Sequence, residues 1–170
     1  MSERIRPAES AADIEAARAL FREYAGTLDF SLDFQGFEAE LAGLPGAYAP
    51  PRGALLLAER DGAVVGAVGL RDLGDGTCEM KRLYLRPDAR RGGLGRRLAQ
   101  AVVAEGRRLG YRAMRLDTLP RLMGQAVALY RSLGFRETAP YYDAGAVTGM
   151  RFFQLDYGAG NSASERPSSQ

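Results

Sequence analysis

The stretch that most constrains this 170-residue sequence covers residues 77–110, TCEMKRLYLRPDARRGGLGRRLAQAVVAEGRRLG, which reads as a strand, a short basic glycine loop and a helix. Leu83, Tyr84 and Leu85 give the strand its bulk, and Pro87 with Asp88 stops it, because proline cannot extend a hydrogen-bonded ladder. From Leu94 the apolar positions Leu94, Leu98, Ala101, Val102 and Leu109 recur at helical spacing, while Arg96, Arg97, Gln100, Arg107 and Arg108 fall on the other side. Residues 90–95, RRGGLG, therefore form the turn into a helix N-terminus. A turn with few β-carbons lets successive backbone N–H groups converge on an anion, and the helix dipole favours negative charge at that end. Taken alone, the hexapeptide fits a flexible basic turn as well, since with glycine at ~7% so loose a pattern recurs by chance roughly once per several hundred positions.

Context decides between the two. Arg90-x-x-Gly93-x-Gly95 after a strand and opening a helix, followed by AVALYRSLGF at residues 126–135, resembles the GNAT N-acetyltransferase superfamily. The resemblance extends over roughly residues 5–157, because the order of elements also fits. It implies an α/β fold: a mixed, mostly antiparallel sheet of six to seven strands, splayed between strands 4 and 5 and flanked by about four helices. It also implies acetyl-CoA as co-substrate. The cofactor-binding set it selects is Arg90, Arg91, Gly92, Gly93, Leu94, Gly95 and Arg96 for the pyrophosphate. Leu83, Tyr84 and Leu85 would act through backbone groups, pairing with the pantetheine arm and, after a bulge, giving an N–H to the oxyanion. Many relatives carry an asparagine seven residues before the motif tyrosine; here that place is Met123, so Thr118 or Gln125 is expected to supply the contact if it is made.

The implied chemistry is acetyl transfer to an amine. A free alkylamine has a pKa of ~10.4, so attack needs a proton acceptor or a site that disfavours the ammonium. The sequence contains no histidine, which leaves a carboxylate, a tyrosine or a water held by one of these. The resemblance selects Glu79, eleven positions before Arg90 (90 minus 79), as the base. A bland alternative makes Glu79 an edge-facing strand residue paired with Lys81 or Arg82. Tyr130 matches the family's second motif and is the expected acid for the departing thiolate; its place on an apolar helical stripe equally suits a core tyrosine. Cys78 has no histidine partner and reads as a small buried residue, and no metal-ligand cluster is present in the sequence, so no metal is expected.

Elsewhere the sequence builds scaffold. Residues 5–8 form a first strand, Ser10 caps a helix carrying Ile14, Ala17, Phe21, Tyr24 and Leu28, and a second short helix carries Phe34, Phe37, Leu41 and Leu44. Asp29 and Asp33 between them cap and turn, or present carboxylates to a cationic acceptor. Residues 54–59 and 63–71 form a hairpin, 111–116 a strand, and Met123, Ala126, Tyr130 and Leu133 share one face of a helix closed by Gly134. Residues 135–138 and 150–156 read as the last strands.

The length suits one domain over residues 1–157, with a disordered tail over 158–170 that holds no apolar residue beyond alanine. A net charge of only +2 gives no bulk electrostatic case for nucleic acid or membrane partners. A single cysteine excludes an intrachain disulfide, and no apolar leader follows the charged residues 1–6, so a cytoplasmic location is expected. The partner expected is a small-molecule or peptide amine, and the resemblance adds a possible homodimer. Two other classes compete. One is a noncatalytic acyl-CoA-binding regulatory module of the same fold. The other is a nucleotide or nucleic-acid binder, weakened because Leu98 stands where a dinucleotide fingerprint needs glycine and because the arginine strip lacks interleaved aromatics.

Overall fold

A computed structural model describes residues 2–145 and 147–158, apart from the side chain of Phe34. The chain enters the sheet through β1 (Glu3–Pro7), leaves it for α1 (Ala11–Gly26) and α2 (Phe37–Ala42), and returns as a meander of β2 (Ala54–Arg60), β3 (Ala63–Asp72) and β4 (Thr77–Leu85). Then come α3 (Leu94–Arg108), β5 (Ala113–Thr118), α4 (Gly124–Ser132), β6 (Arg136–Thr138) and β7 (Arg151–Asp156). The seven strands form one sheet in the order β1-β2-β3-β4-β5-β7-β6. Every neighbouring pair is antiparallel except β4 and β5. The expected tail lies, from residue 159, outside the described residues.

Both faces of the sheet are covered, and β2 shows how one strand serves two cores. Ala54, Leu56 and Ala58 join the cluster under α3 and α4, whereas Leu55 and Leu57 join the cluster under α1 and α2. That is the two-residue period of a strand read on a sheet buried twice over. On one side Ala17, Leu20 and Phe21 of α1 pack on Leu57 and Ala67. On the other, Leu94, Leu98 and Val102 of α3 pack on Val68, Leu70 and Met80. The approach of α3 is close: a β-carbon at Gly106 would stand 2.4 Å from the Tyr157 hydroxyl, so no larger residue fits there without a shift. Ser10 caps α1 as expected, its hydroxyl accepting from the Asp13 N–H while the Asp13 carboxylate accepts from the Ser10 N–H.

Two irregularities position the site. β4 and β5 pair over only three residues, Thr77 with Ala113, Cys78 with Met114 and Glu79 with Arg115, and then part. Just past that fork β4 bulges: Ala67 pairs with Tyr84 but Gly69 with Lys81, so Arg82 and Leu83 together oppose Val68. Arg82 takes φ 62°, a left-handed conformation that costs a non-glycine residue about 1–2 kcal/mol. The Arg82 guanidinium is pinned by Glu40 of α2 at 2.8 Å, which holds the bulge in place.

Several expectations are corrected. The second helix is broken at Gly36 (φ 70°) into a 3-10 turn, Asp33–Gln35, and α2. The strand expected over 111–116 runs instead over Ala113–Thr118, because Tyr111 and Arg112 make the connection: Tyr111 donates to the Arg52 carbonyl at 2.6 Å and the Arg112 N–H to the Gly76 carbonyl. Met123 precedes α4 rather than sharing its face. Glu79 does not face an edge, for it is fully buried in the middle of the sheet.

Candidate active site

The basic loop is built to leave backbone donors free. After a 3-10 turn, Pro87–Ala89, the chain passes through Gly92 (φ 93°) and Gly93 (φ 82°), the latter capping α3 without a side chain of its own. Glycine is needed at both because a β-carbon is strained in this region. The first intrahelical bond runs from the Arg97 N–H to the Gly93 carbonyl at 3.1 Å. Among the described residues, no backbone N–H of residues 91–96 donates to another group. Six consecutive donors at the positive end of a 15-residue helix are thus left for an anion.

Arg60, at the end of β2, fixes this loop by donating to the carbonyl of Arg91 at 2.9 Å while pairing with Glu3 at 2.7 Å. Arg90 donates to the Leu85 carbonyl at 2.9 Å and lies over the Tyr84 ring. The remaining strip is partly neutralised: Arg97 pairs with Glu3, Arg108 with Glu105, and Arg107 lies over the Tyr157 ring.

A cleft of about 490 Å³ opens between this loop, the diverging end of β4 and the start of α4. Of the residues the sequence selects, Leu83, Tyr84, Leu85, Arg90, Gly93, Gly95 and Arg96 line it, and so does Tyr130. Arg91 and Gly92 are exposed beside it, and Leu94 turns its side chain into the core. Thr118 lies instead on a smaller neighbouring cavity, with its hydroxyl 3.9 Å from the Met123 sulfur. Gln125 lines the main cleft.

The Tyr130 ring packs edge-on against Phe135 at 5.9 Å between centroids. Its hydroxyl has no hydrogen-bond partner among the described residues, and it is not sealed from solvent, so it faces the cleft. Burial, with Tyr24 and the Asp117 charge adding to it, pushes this hydroxyl well above the ordinary tyrosine range. Tyr24 of α1, which sequence reasoning assigned to the core, lines both the cleft and the smaller cavity, and burial pushes its hydroxyl up to about 12.

On the α1 and α2 side of the fork lies a dense polar network. Glu79 lines neither of these two cavities; its Oε1 accepts from Arg71 Nε at 2.7 Å and its Oε2 from the Tyr141 hydroxyl at 2.6 Å. Lys81 Nζ stands 3.2 Å from Gln35 Oε1, 3.5 Å from Asp117 Oδ2 and 3.9 Å from Glu79. The Tyr142 hydroxyl donates to the same Asp117 oxygen, and Asp117 lines the smaller cavity. The Tyr141 and Tyr142 rings both pack edge-on against Phe152. Asp29 pairs with Arg121 at the surface, and Asp33 opens the 3-10 turn.

Sequence reasoning missed Tyr24, Arg60, Asp117, Tyr141 and Tyr142. Only the paired tyrosines next to an aspartate, in a loop otherwise made of small residues, gave a local signal; the others are defined by partners far along the chain.

Compared with known proteins, the sequence matches the Acetyltransferase (GNAT) family over residues 14–135. It is 41% identical over 132 residues to an uncharacterized N-acetyltransferase of Schizosaccharomyces pombe, covering 76% of this chain and 80% of that one. It is 38% identical over 87 residues to an IAA acetyltransferase of Azospirillum brasilense, covering 51% of this chain and 56% of that one. Among solved structures, the YncA protein of Salmonella typhimurium with its cofactor acetyl-CoA superimposes with TM-score 0.65 at 24% identity, covering 100% of this chain and 99% of that one. The PaiA N-acetyltransferase of Thermoplasma acidophilum, in complex with coenzyme A, gives TM-score 0.69 at 20% identity, covering 92% of this chain and 100% of that one.

Proposed function

This chain belongs to the acetyltransferase (GNAT) family, and on that premise we propose that it moves the acetyl group of acetyl-CoA onto an amine within a ternary complex. One observation carries the reading. The unengaged backbone donors at the head of α3, of which those of Gly93, Gly95 and Arg96 belong to residues lining the cleft, share that cleft with the unpartnered Tyr130, at the point where β4 and β5 part. The pyrophosphate suits the donors, and the open edge of β4 past Glu79 suits the pantetheine arm as a substitute strand. Solved relatives of this fold hold coenzyme A or acetyl-CoA, which supports the same co-substrate here.

In this reaction the amine lone pair attacks the thioester carbonyl, a C–N bond forms and the C–S bond breaks. One proton leaves the nitrogen for a carboxylate and another reaches the departing sulfur, giving an N-acetyl amide and CoA. The bulge after Lys81 interrupts the ladder beside residues 83–85, which supports a backbone N–H there as the donor to the oxyanion. Tyr130, protonated at neutral pH like any tyrosine and pushed further up by its burial, supplies the proton to sulfur. For the base, the resemblance favours Glu79, whereas one observation favours Asp117: it borders a cavity, and its Oδ1 accepts from no group among the described residues.

The test is calorimetric titration with acetyl-CoA, CoA, NAD and a DNA duplex, followed by a thiol-release assay over an amine panel. Micromolar binding confined to the two CoA species, with CoA released only when an amine is present, supports the proposal. Binding without turnover points to a noncatalytic acyl-CoA module, and binding to DNA alone removes the enzyme reading.

A further inference from the structure

Three cavities border the fork, and the smaller one between the other two is a pinch of about 10 Å³, room for no more than a water. The main cleft and the smaller cavity share Tyr24 and Met123, and the smaller cavity shares Gln35 and Arg82 with a third of about 240 Å³. Apart from the ring of Tyr142, the wall of this outer cavity is made of polar and charged side chains. It carries the cations Arg71, Lys81 and Arg82.

The acids that face these cations are already engaged or stand aside. Glu40 gives Oε1 to Arg82 Nη2 at 2.8 Å, while its Oε2 accepts from the Tyr48 hydroxyl at 2.8 Å and from Arg82 Nε at 3.2 Å. Glu79, behind the wall, has both oxygens taken by Arg71 and Tyr141. Asp143 is exposed at the rim, with Oδ1 turned back to the Gly145 N–H at 2.9 Å. Asp117 lies on the inner cavity, nearer the thioester end.

The cations, by contrast, are underused. Arg71 binds Glu79 through Nε, and its terminal Nη1 and Nη2 donate to no group among the described residues. Lys81 is 6% exposed, yet the hydrogen bonds of its ammonium are 3.2 and 3.5 Å long, beyond the ~2.7–2.9 Å of a good charge-assisted bond. The walls thus present the unengaged Nη donors of Arg71 and the loosely held Lys81 ammonium at the outer end and a carboxylate with one free oxygen at the inner end. That polarity matches a short zwitterion with its amine inward and its anion outward.

We infer that the acceptor is a small amine that also carries a carboxylate, of amino-acid size, its carboxylate bound by Arg71 and Lys81 and its amine directed past Asp117 to the thioester. The inference rests on the acetyl-transfer reading above. A polyamine places a second cation among Arg71, Lys81 and Arg82, and a lysine side chain brings no adjacent carboxylate.

The experiment compares, on the unaltered chain, CoA release with each of the common amino acids, with their α-amides and with the corresponding decarboxylated amines. Expected is an amino acid whose kcat/KM exceeds that of its own amide by at least tenfold. The Arg71→Gln and Arg71→Lys variants then raise its KM at least tenfold, while the KM for acetyl-CoA stays within twofold and the amide's KM barely moves. Acetylation of amides or carboxylate-free amines as fast as the acids, or an unchanged KM in a folded Arg71 variant, overturns this inference and leaves acetyl transfer standing. Absence of turnover with every amine overturns both.

Discussion

Tyr130 and the two carboxylates near the fork can be separated by experiments on single side chains. Removing the Tyr130 hydroxyl costs no protein hydrogen bond, so Tyr130→Phe should keep the unfolding free energy within about 1 kcal/mol while lowering kcat about 10²-fold. A variant that unfolds earlier and turns over normally would make Tyr130 a packing residue. Glu79→Gln and Asp117→Asn discriminate the base: the true acceptor's loss depresses the rate most at low pH, where the unassisted amine is protonated, and moves the acidic limb of the profile up toward the amine's own pKa of ~10.4. Because there is no histidine, that limb belongs to a carboxylate, a tyrosine or the substrate. Glu40 acts differently. Glu40→Ala would leave the Arg82 guanidinium, 2% exposed, without its partner, and should cost about 3–5 kcal/mol in urea denaturation.

Elements were read from the sequence with uneven success, and the reason is where their signals lie. The head of α3 was legible because glycine spacing and helical periodicity are local: Gly93 does adopt φ 82°, and Leu94, Leu98 and Val102 do face the core. Ser10 was legible because a capping box spans four residues. Gly36 breaking the second helix was not, since glycine inside a helical pattern is usually tolerated. Nor was the polar network, whose partners Glu79 and Tyr141 stand 62 positions apart (141 minus 79) and meet only in the folded sheet. These readings yield two stability tests at this scale. Ser10→Ala should cost about 1 kcal/mol, seen as a lower urea midpoint without a change in m-value. Gly93→Val should add roughly 1–2 kcal/mol of left-handed strain and, by misaligning the free N–H groups, weaken acetyl-CoA binding in calorimetry by more than tenfold.

Across the whole molecule, charge sets the conditions under which the fold persists. Hydrogen bonds from Arg6, and from backbone N–H groups of residues 9 and 10, hold the Asp13 carboxyl well below its usual range. Glu59 is lowered by Arg4 and Arg6, and Glu137 by Arg151. A depressed carboxylate contributes stability that is present above its unfolded pKa of about 4 and is lost as pH falls through the folded value. Stability should therefore be level between about pH 5 and 8, where no histidine titrates, and fall steeply below about pH 4; urea midpoints measured across that range check it. Burial pushes the Cys78 thiol up to about 12, so a thiol reagent at pH 8 should label it only at the rate of unfolding. The three-residue seam between β4 and β5 has its own consequence. Beyond it the sheet is two panels sharing a short spine, so the backbone of residues 80–85 that faces the gap belongs to a strand with one neighbour instead of two. Deuterium should enter those amides quickly in the free protein and slowly once acetyl-CoA fills the gap, because the ligand then serves as the missing strand, and the kinetics of its departure become the kinetics of a sheet coming apart.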